Sequence, residues 1–454
     1  MIAIGKSCCC SAVHMTRDRL FVFKMAVDFD GGMHREKISS YHSPTKLYKN
    51  ENSLNGLNDA LNEETVKCAV QQNDMEIVIE TGDELTTKLK GANINRLPKL
   101  YKPRDLLFSI FSTCLFVADF VSDILLALQY YNESNILLFQ LTVTFIVAPS
   151  IFSFIINCVW NYMVYVEESE KKDLEIRIPK KLLFLRIFFS LIQLGRLFRN
   201  LEYMYYMVLS WKWKGTDLET RVRLRAMEEK RDACILGLVD GFLESAMQLL
   251  LQLYLAFHHN LPATFLRVVT LSLSLAGTSW IHTAFYRHSR NIDITKHKMG
   301  IRISFVYWLC VLAELSPRFL LLASFGAYFM PWCFILPSAH FLLMMTVHIY
   351  TNPELYGMCC CKAGKFLFLV LCSYINIFCF INVTGGKTFK KRLMFYILFY
   401  IENIVMVALS WYKTQMNQSY LVYTLLIAPV GFVCHMLFLL LYYKLFHPNN
   451  RTYL

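Results

Sequence analysis

Charge is scarce in this sequence. Asp, Glu, Lys and Arg make up 18% of the 454 residues, where a soluble globular chain carries about 25%. Hydrophobic residues make up 55%. The deficit excludes an ordinary water-soluble domain and points to a polytopic membrane protein. Catalytic signatures are missing as well. There is no HExxH, no GxSxG and no Walker motif, and His258 and His259 have no partner at ligand spacing. Neither an enzyme nor a bound cofactor is expected. The 15 cysteines lack metal-ligand spacing, so no metal site is expected. Nine are scattered, mostly in apolar stretches, where Cys acts as a small hydrophobe. The others form two triplets, and Cys359, Cys360 and Cys361, beside an apolar segment, are candidates for S-palmitoylation. No signal peptide is evident, because Lys6 interrupts the apolar start after four residues.

The charge that is present is unevenly placed. Residues 1–100 hold 13 Lys/Arg and 13 Asp/Glu, so the net +12 falls on residues 101–454. Basic residues in short loops report orientation, facing the cytosol and its anionic lipid, and this is the reading adopted over a basic patch for nucleic acid. Residues 1–100, with stretches such as NENSLNGLNDALNEE, read as a mostly disordered cytosolic arm. Its segments VDFDG and ETGD make Asp30 and Asp83 candidate caspase-cleavage positions.

After a basic flank (Arg96, Lys99, Lys102, Arg104), ten apolar segments follow at 106–131, 135–165, 182–210, 232–257, 264–286, 302–328, 331–350, 365–383, 392–412 and 420–446. Each is near the roughly 20 residues needed to cross. Ten simple crossings fail on charge. If 182–210 crossed, the strongly basic loop 211–231 would face outward, and if 365–383 crossed, so would the loop GGKTFKKR. Treating both as re-entrant keeps every basic stretch and both termini cytoplasmic. Segment 182–210 also carries Arg186, Arg196, Arg199 and Glu202, which suits an element shielded by protein. The expectation is an all-α bundle of eight transmembrane helices plus two re-entrant half-helices. They fall in two similar halves, 101–286 and 287–448, ahead of a short tail at 449–454.

Within this apolar frame a few polar residues stand out. Asp240, Glu244, Gln248 and Gln252 recur every fourth residue, so one helix face would carry all four. An ionisable group in hydrocarbon costs at least about 2.5–3.5 kcal/mol, so these face protein, water or a polar cargo. Asp119 and Asp123 share a face of the first segment. Glu314 and Arg318 have the spacing of an intrahelical ion pair, and Pro317 is expected to kink that helix. Asp240 and Glu244 have Arg186, Arg196, Arg199 and Arg318 as prospective partners. Glu402 in YIENIVMVALSWY marks the point in the second half that Glu244 marks in the first. Two readings remain open: ion pairs that fix packing, or a polar track for lipid headgroups, ions or small solutes. Sequons at Asn132, Asn382, Asn417 and Asn450 fall on both sides of this topology and do not decide it.

The stretches LFVADFVSDILLALQYY (115–131), SLIQLGRLFRNLEYMYY (190–206), GFLESAMQLLLQLYL (241–255), LSLAGTSWIHTAFYRHSR (273–290), NVTGGKTFKKRLMFYILFYIENIVMVALSWY (382–412) and LYYKLFHP (441–448) resemble those of the XK-related membrane proteins. The resemblance covers residues 105–448. It implies eight spanning and two half-inserted helices, and a phospholipid scramblase, or the partner of one, at the plasma membrane. Some members resemble caspase-activated scramblases that expose phosphatidylserine on dying cells; others look like partners of bulk lipid-transfer proteins. By resemblance Asp119, Asp123, Asp240 and Glu244 lie on the intramembrane polar track, with Arg196 and Arg199 available to phosphate. The expected partners are membrane phospholipids, a caspase, and an accessory membrane subunit or lipid-transfer protein. Caspase control is expected through residues 1–100, as in nematode-type members. The competing readings are a non-transporting partner and an ion or solute transporter, although no Na⁺-site signature of Gly-broken helices is present.

Overall fold

The computed structural model describes residues 103–170, 180–259, 262–292, 298–351, 362–381, 389–414 and 419–446. Asp30, Asp83, the Cys359–Cys361 triplet, the sequons at 382, 417 and 450 and both tails lie outside the described residues.

The described residues are helical, with no strand among them. In chain order the helices are α1 (Pro103–Asn132), α2 (Ile136–Glu170), α3 (Lys180–Leu191), α4 (Gly195–Lys212), α5 (Asp217–Val239) and α6 (Ala246–His258). They continue as α7 (Phe265–Ile292), α8 (Ile301–Tyr328), α9 (Met330–Thr351), α10 (Lys362–Ile375), α11 (Phe389–Thr414) and α12 (Ser419–Leu441). A π-helical turn, Asp240–Ser245, joins α5 to α6, and another, Tyr442–Phe446, follows α12. Eight helices among the described residues are long and apolar enough to cross a membrane: α1, α2, the fused α5–α6, α7, α8, α9, α11 and α12 with its π turn.

Burial sorts these eight into a centre and a rim. The apolar stretches of α5–α6, α7 and α8 are 72%, 61% and 56% buried, and the other five only 11–33%. Rim helices leave large side chains such as Val121 and Leu125 on α1, and Ile151 and Ile155 on α2, exposed, as a lipid-facing surface requires. Between helices in lipid there is no hydrophobic drive, so close approach and polar contacts hold the centre. On α7 the buried face runs through small residues, Ser274, Gly277, Thr278 and Ser279. α8 packs on α6, α7, α9, α11 and α12. Its helix continues through Pro317, and α12 meets it there: a Cβ on Gly431 would lie 2.8 Å from Pro317 Cγ.

One expectation needs correcting, and two segments take a finer form. The basic stretch 211–231 is not a loop, because only about four residues turn before α5 begins at Asp217. The joined helix from Leu218 to His258 has 41 residues, about 60 Å at 1.5 Å per residue, twice the hydrocarbon thickness. Segment 182–210 is not one element. α3 and α4 are separated at 192–194, where Gln193 takes φ +66°. Gly195 starts α4 against α2, and a Cβ there would come within 2.6 Å of Asn157 Nδ2. Segment 365–383 is helical only to Ile375, and residues 376–381 are buried but not helical.

Candidate functional site

The Asp240–Glu244–Gln248–Gln252 stripe runs through the π turn. That turn adds a residue to one helical repeat, so the stripe serves two neighbours. Asp240 Oδ1 accepts from Ser153 Oγ on α2 at 2.6 Å. Ser245, at the turn's end, donates to Asp119 Oδ2 on α1 at 2.7 Å, and Ser274 on α7 donates to Asp119 Oδ1 at 2.8 Å. The turn itself is tied down from outside, by Thr278 Oγ1 donating to Gly241 O and Tyr374 OH to Phe242 O. Farther along, Tyr130 OH on α1 donates to Gln252 Oε1. Between these two rungs Asp123 Oδ1 and both amide atoms of Gln248 are buried without a protein partner.

Two recesses adjoin the stripe. One, of about 380 Å³, lies between α1, α4, α5 and α7 and is lined by Arg196, Lys230, Asn200, Ser112 and Thr113 among others. The other, about 350 Å³, lies between α1, α2 and the α3–α4 break and is lined by Arg196, Asp240, Glu244, Ser153 and Asn157 among others. Phe116 and Arg196 line both. The Arg196 guanidinium lies 4.7 Å over the Phe116 ring. On its other side is Gly237, where a Cβ would sit 3.1 Å from Arg196 Nε. Of the arginines named for Asp240 and Glu244, Arg196 is therefore the one beside them.

The others are engaged elsewhere. Arg186 pairs with Glu202 at 2.9 Å and Glu229 at 2.6 Å. Arg199 is 1% exposed and pairs with Glu229 at 2.8 Å and Asp232 at 3.1 Å, while its remaining nitrogens donate to Asn157 and Asn161. Glu229 also takes Arg225 at 3.1 Å. This network fastens the α3–α4 pair to α5. Sequence reasoning missed Glu229 and Lys230 because 211–231 was read as a loop, and passed over Asp232 at the edge of the next segment. The available signal was the absence of Gly and Pro from Asp217 to Leu236, which lets the helix run on.

Glu314 and Arg318 do not pair with each other, contrary to their spacing. Both reach across to the non-helical residues 376–381. Arg318 Nε donates to Ile377 O at 2.9 Å, and its other nitrogens meet Asn403 Oδ1 and Glu402 Oε2, each at 2.7 Å. Glu314 Oε1 accepts from Phe380 N at 3.1 Å. Asn376 Oδ1 accepts from Ile381 N, and His282 Nε2 lies 3.0 Å from Phe380 O. Irregular backbone at membrane depth survives only when its polar groups find such partners. Glu402, expected to mirror Glu244, instead lies between Arg318 and His340 Nδ1, the latter at 2.8 Å. No group of three or more His, Cys, Asp or Glu among the described residues is arranged to hold a metal ion.

Comparison with known proteins agrees with the fold. A family profile described as XK-related protein matches residues 107–448. XK-related protein 8 of Gasterosteus aculeatus is 25% identical over 371 residues, covering 80% of this chain and 87% of the relative. Cell death abnormality protein 8 of Caenorhabditis briggsae and of Caenorhabditis elegans are each 28% identical, covering 79% of this chain and 82% of either relative. With its eight apolar helices and a profile match over most of its length, this chain is a multi-pass membrane protein and belongs to the XK-related family.

Proposed function

We propose that this chain is a phospholipid scramblase that lets headgroups, phosphatidylserine among them, pass between leaflets without energy input. The observation that carries the reading is the recess holding Arg196, Asp240 and Glu244 in the membrane part of the bundle. It lies beside α1 and α2, whose outer faces are exposed and apolar. A headgroup in the recess would meet a cation for its phosphate and carboxylates for its amine, while its acyl chains stay on the apolar outer face. Fixed polar groups along the way lower the barrier that hydrocarbon sets against a charged headgroup. Asp119, Asp123 and Gln248 continue the polar line. Arg199, Glu314, Arg318 and Glu402, all committed to protein partners, are assigned to holding the bundle.

Residues 101–286 and 287–448 are two similar halves, with α3–α4 and α10 half-inserted and both termini cytoplasmic. The site of action is the plasma membrane. Two relatives are named for cell death, which supports a role in apoptosis and corpse clearance, with a caspase acting on residues 1–100. The test is reconstitution of the purified full chain in liposomes carrying fluorescent phosphatidylcholine or phosphatidylserine. Exchange between leaflets is expected, with a several-fold loss in the Asp240→Asn/Glu244→Gln double variant. A folded chain that exchanges no lipid points to a non-transporting partner of a lipid-transfer protein. Uptake coupled to an ion gradient points to a transporter.

A further inference from the structure

The first recess has two cations and no carboxylate among its lining residues. Lys230 is 7% exposed. Its ammonium has three donors, and the two it uses go to neutral acceptors, Ser109 Oγ at 3.2 Å and Asn200 Oδ1 at 3.0 Å. The Tyr203 ring stands 4.8 Å away. Arg196 makes no hydrogen bond and no ion pair, and is held by the Phe116 ring and the bare backbone of Gly237. The Ser112 hydroxyl, also in the lining, makes no hydrogen bond within the protein. Three enclosed arginines of the bundle differ. Arg186, Arg199 and Arg318 each have a carboxylate within 3.1 Å. A cation drawn out of water needs a counter-charge; Asp240 and Glu244 face Arg196 from the second recess, but no residue lining the first recess offers one to Lys230 or to the near side of Arg196.

We propose that this recess is a binding site for a phosphate oxyanion. The Arg196 fork supplies a paired contact, Lys230 a point charge, and the Ser112 hydroxyl a neutral donor. The inference rests on the reading above for its physiological source, the phosphodiester of a lipid. It also gives that reading a geometry. Arg196 lines both recesses, and the second holds Asp240 and Glu244. A zwitterionic headgroup straddling Arg196 would place its phosphate in one recess and its amine in the other.

The test uses the purified full-length chain, with two probes, inorganic phosphate and glycerophosphoserine, each titrated against matched chloride. The readout is the midpoint of thermal unfolding. Both probes are expected to raise it in the wild type. Arg196→Gln is expected to weaken the half-maximal effect about tenfold or more, Lys230→Met likewise, and Lys230→Arg is expected to retain it. Arg196→Gln breaks no hydrogen bond, so it reports on the site even where Lys230→Met fails to fold. A response to inorganic phosphate alone supports the site and assigns it to free phosphate. No response in the wild type, or an equal response in Arg196→Gln, overturns the proposal. Lipid exchange is measured on the same samples. Exchange without a phosphate response removes this site and leaves the scramblase; a phosphate response without exchange removes the scramblase and leaves the site.

Discussion

Glu229 is the residue whose loss the fold should feel most. It is 2% exposed and receives Arg186, Arg199 and Arg225 at 2.6, 2.8 and 3.1 Å. Around it three guanidiniums face three carboxylates, Glu202, Glu229 and Asp232. Glu229→Gln keeps the shape and removes one negative charge, leaving three cations and two anions in an enclosed site. At an effective dielectric of about 20, a pair at ~4 Å is worth about 4 kcal/mol. Three such attractions are lost, and the mutual repulsion of the arginines, already present, goes unanswered. The amide oxygen still accepts one hydrogen bond, so the loss falls short of the full sum. Breaking a buried ion pair from one side typically costs about 3–5 kcal/mol, and that is the expectation here. Thermal unfolding of the purified chain, followed by intrinsic Trp fluorescence or by aggregation on size exclusion, should show a midpoint lowered on the order of 5–10 °C. Asp240→Asn provides the contrast, because Asp240 accepts from a serine and an amide oxygen can do the same. It should move the midpoint little and lipid exchange much. A Glu229→Gln variant as stable as the wild type would refute the view that this network fastens α3–α4 to α5.

Arg318→Met and Glu402→Gln should each destabilise by about 3 kcal/mol or more, and the double variant by clearly less than their sum; additive losses in unfolding midpoints would show the two side chains to be uncoupled. Gly431→Val forces atoms into Pro317 and should cost about 1–3 kcal/mol as an overpacked contact, read as a lower midpoint with lipid exchange per folded molecule unchanged. Gly237→Ala brings a methyl group to 3.1 Å from Arg196 Nε and should reduce lipid exchange several-fold while the chain still folds; unaltered exchange would mean that the position of Arg196 does not matter.

Long apolar runs and the charge of the stretches between them made the eight crossings legible, since both act through solvation that each segment feels alone. The 41-residue α5–α6 helix was obscured because its first half is charged, and charge alone does not distinguish a loop from a helix bedded against α4. The π turn left no signature, because its hydrogen bonds are set by what Thr278 and Tyr374 offer from outside. Spacing put Asp240 and Glu244 on one helix face, and the fold sets Arg196 beside them, a choice among four arginines that spacing could not make. It also misassigned Glu314 and Arg318, whose hydrogen bonds described above reach 59–85 residues away. Local rules rank local pairs, while in a bundle the buried backbone of 376–381 competes for the same side chains.

That backbone also bears on how the chain is made. Its polar groups are met by His282 on α7 and by Glu314 and Arg318 on α8, all synthesised before it. A non-helical stretch can therefore settle among receptors already in place, instead of meeting lipid unpaired. Arg318 has the opposite history. Its carboxylate lies 84 residues downstream, which at ~5–20 residues per second means roughly 4–17 seconds of translation. Through that interval α8 holds a guanidinium without its anion. The ion pair between α8 and α11 can therefore close only once Glu402 has been made.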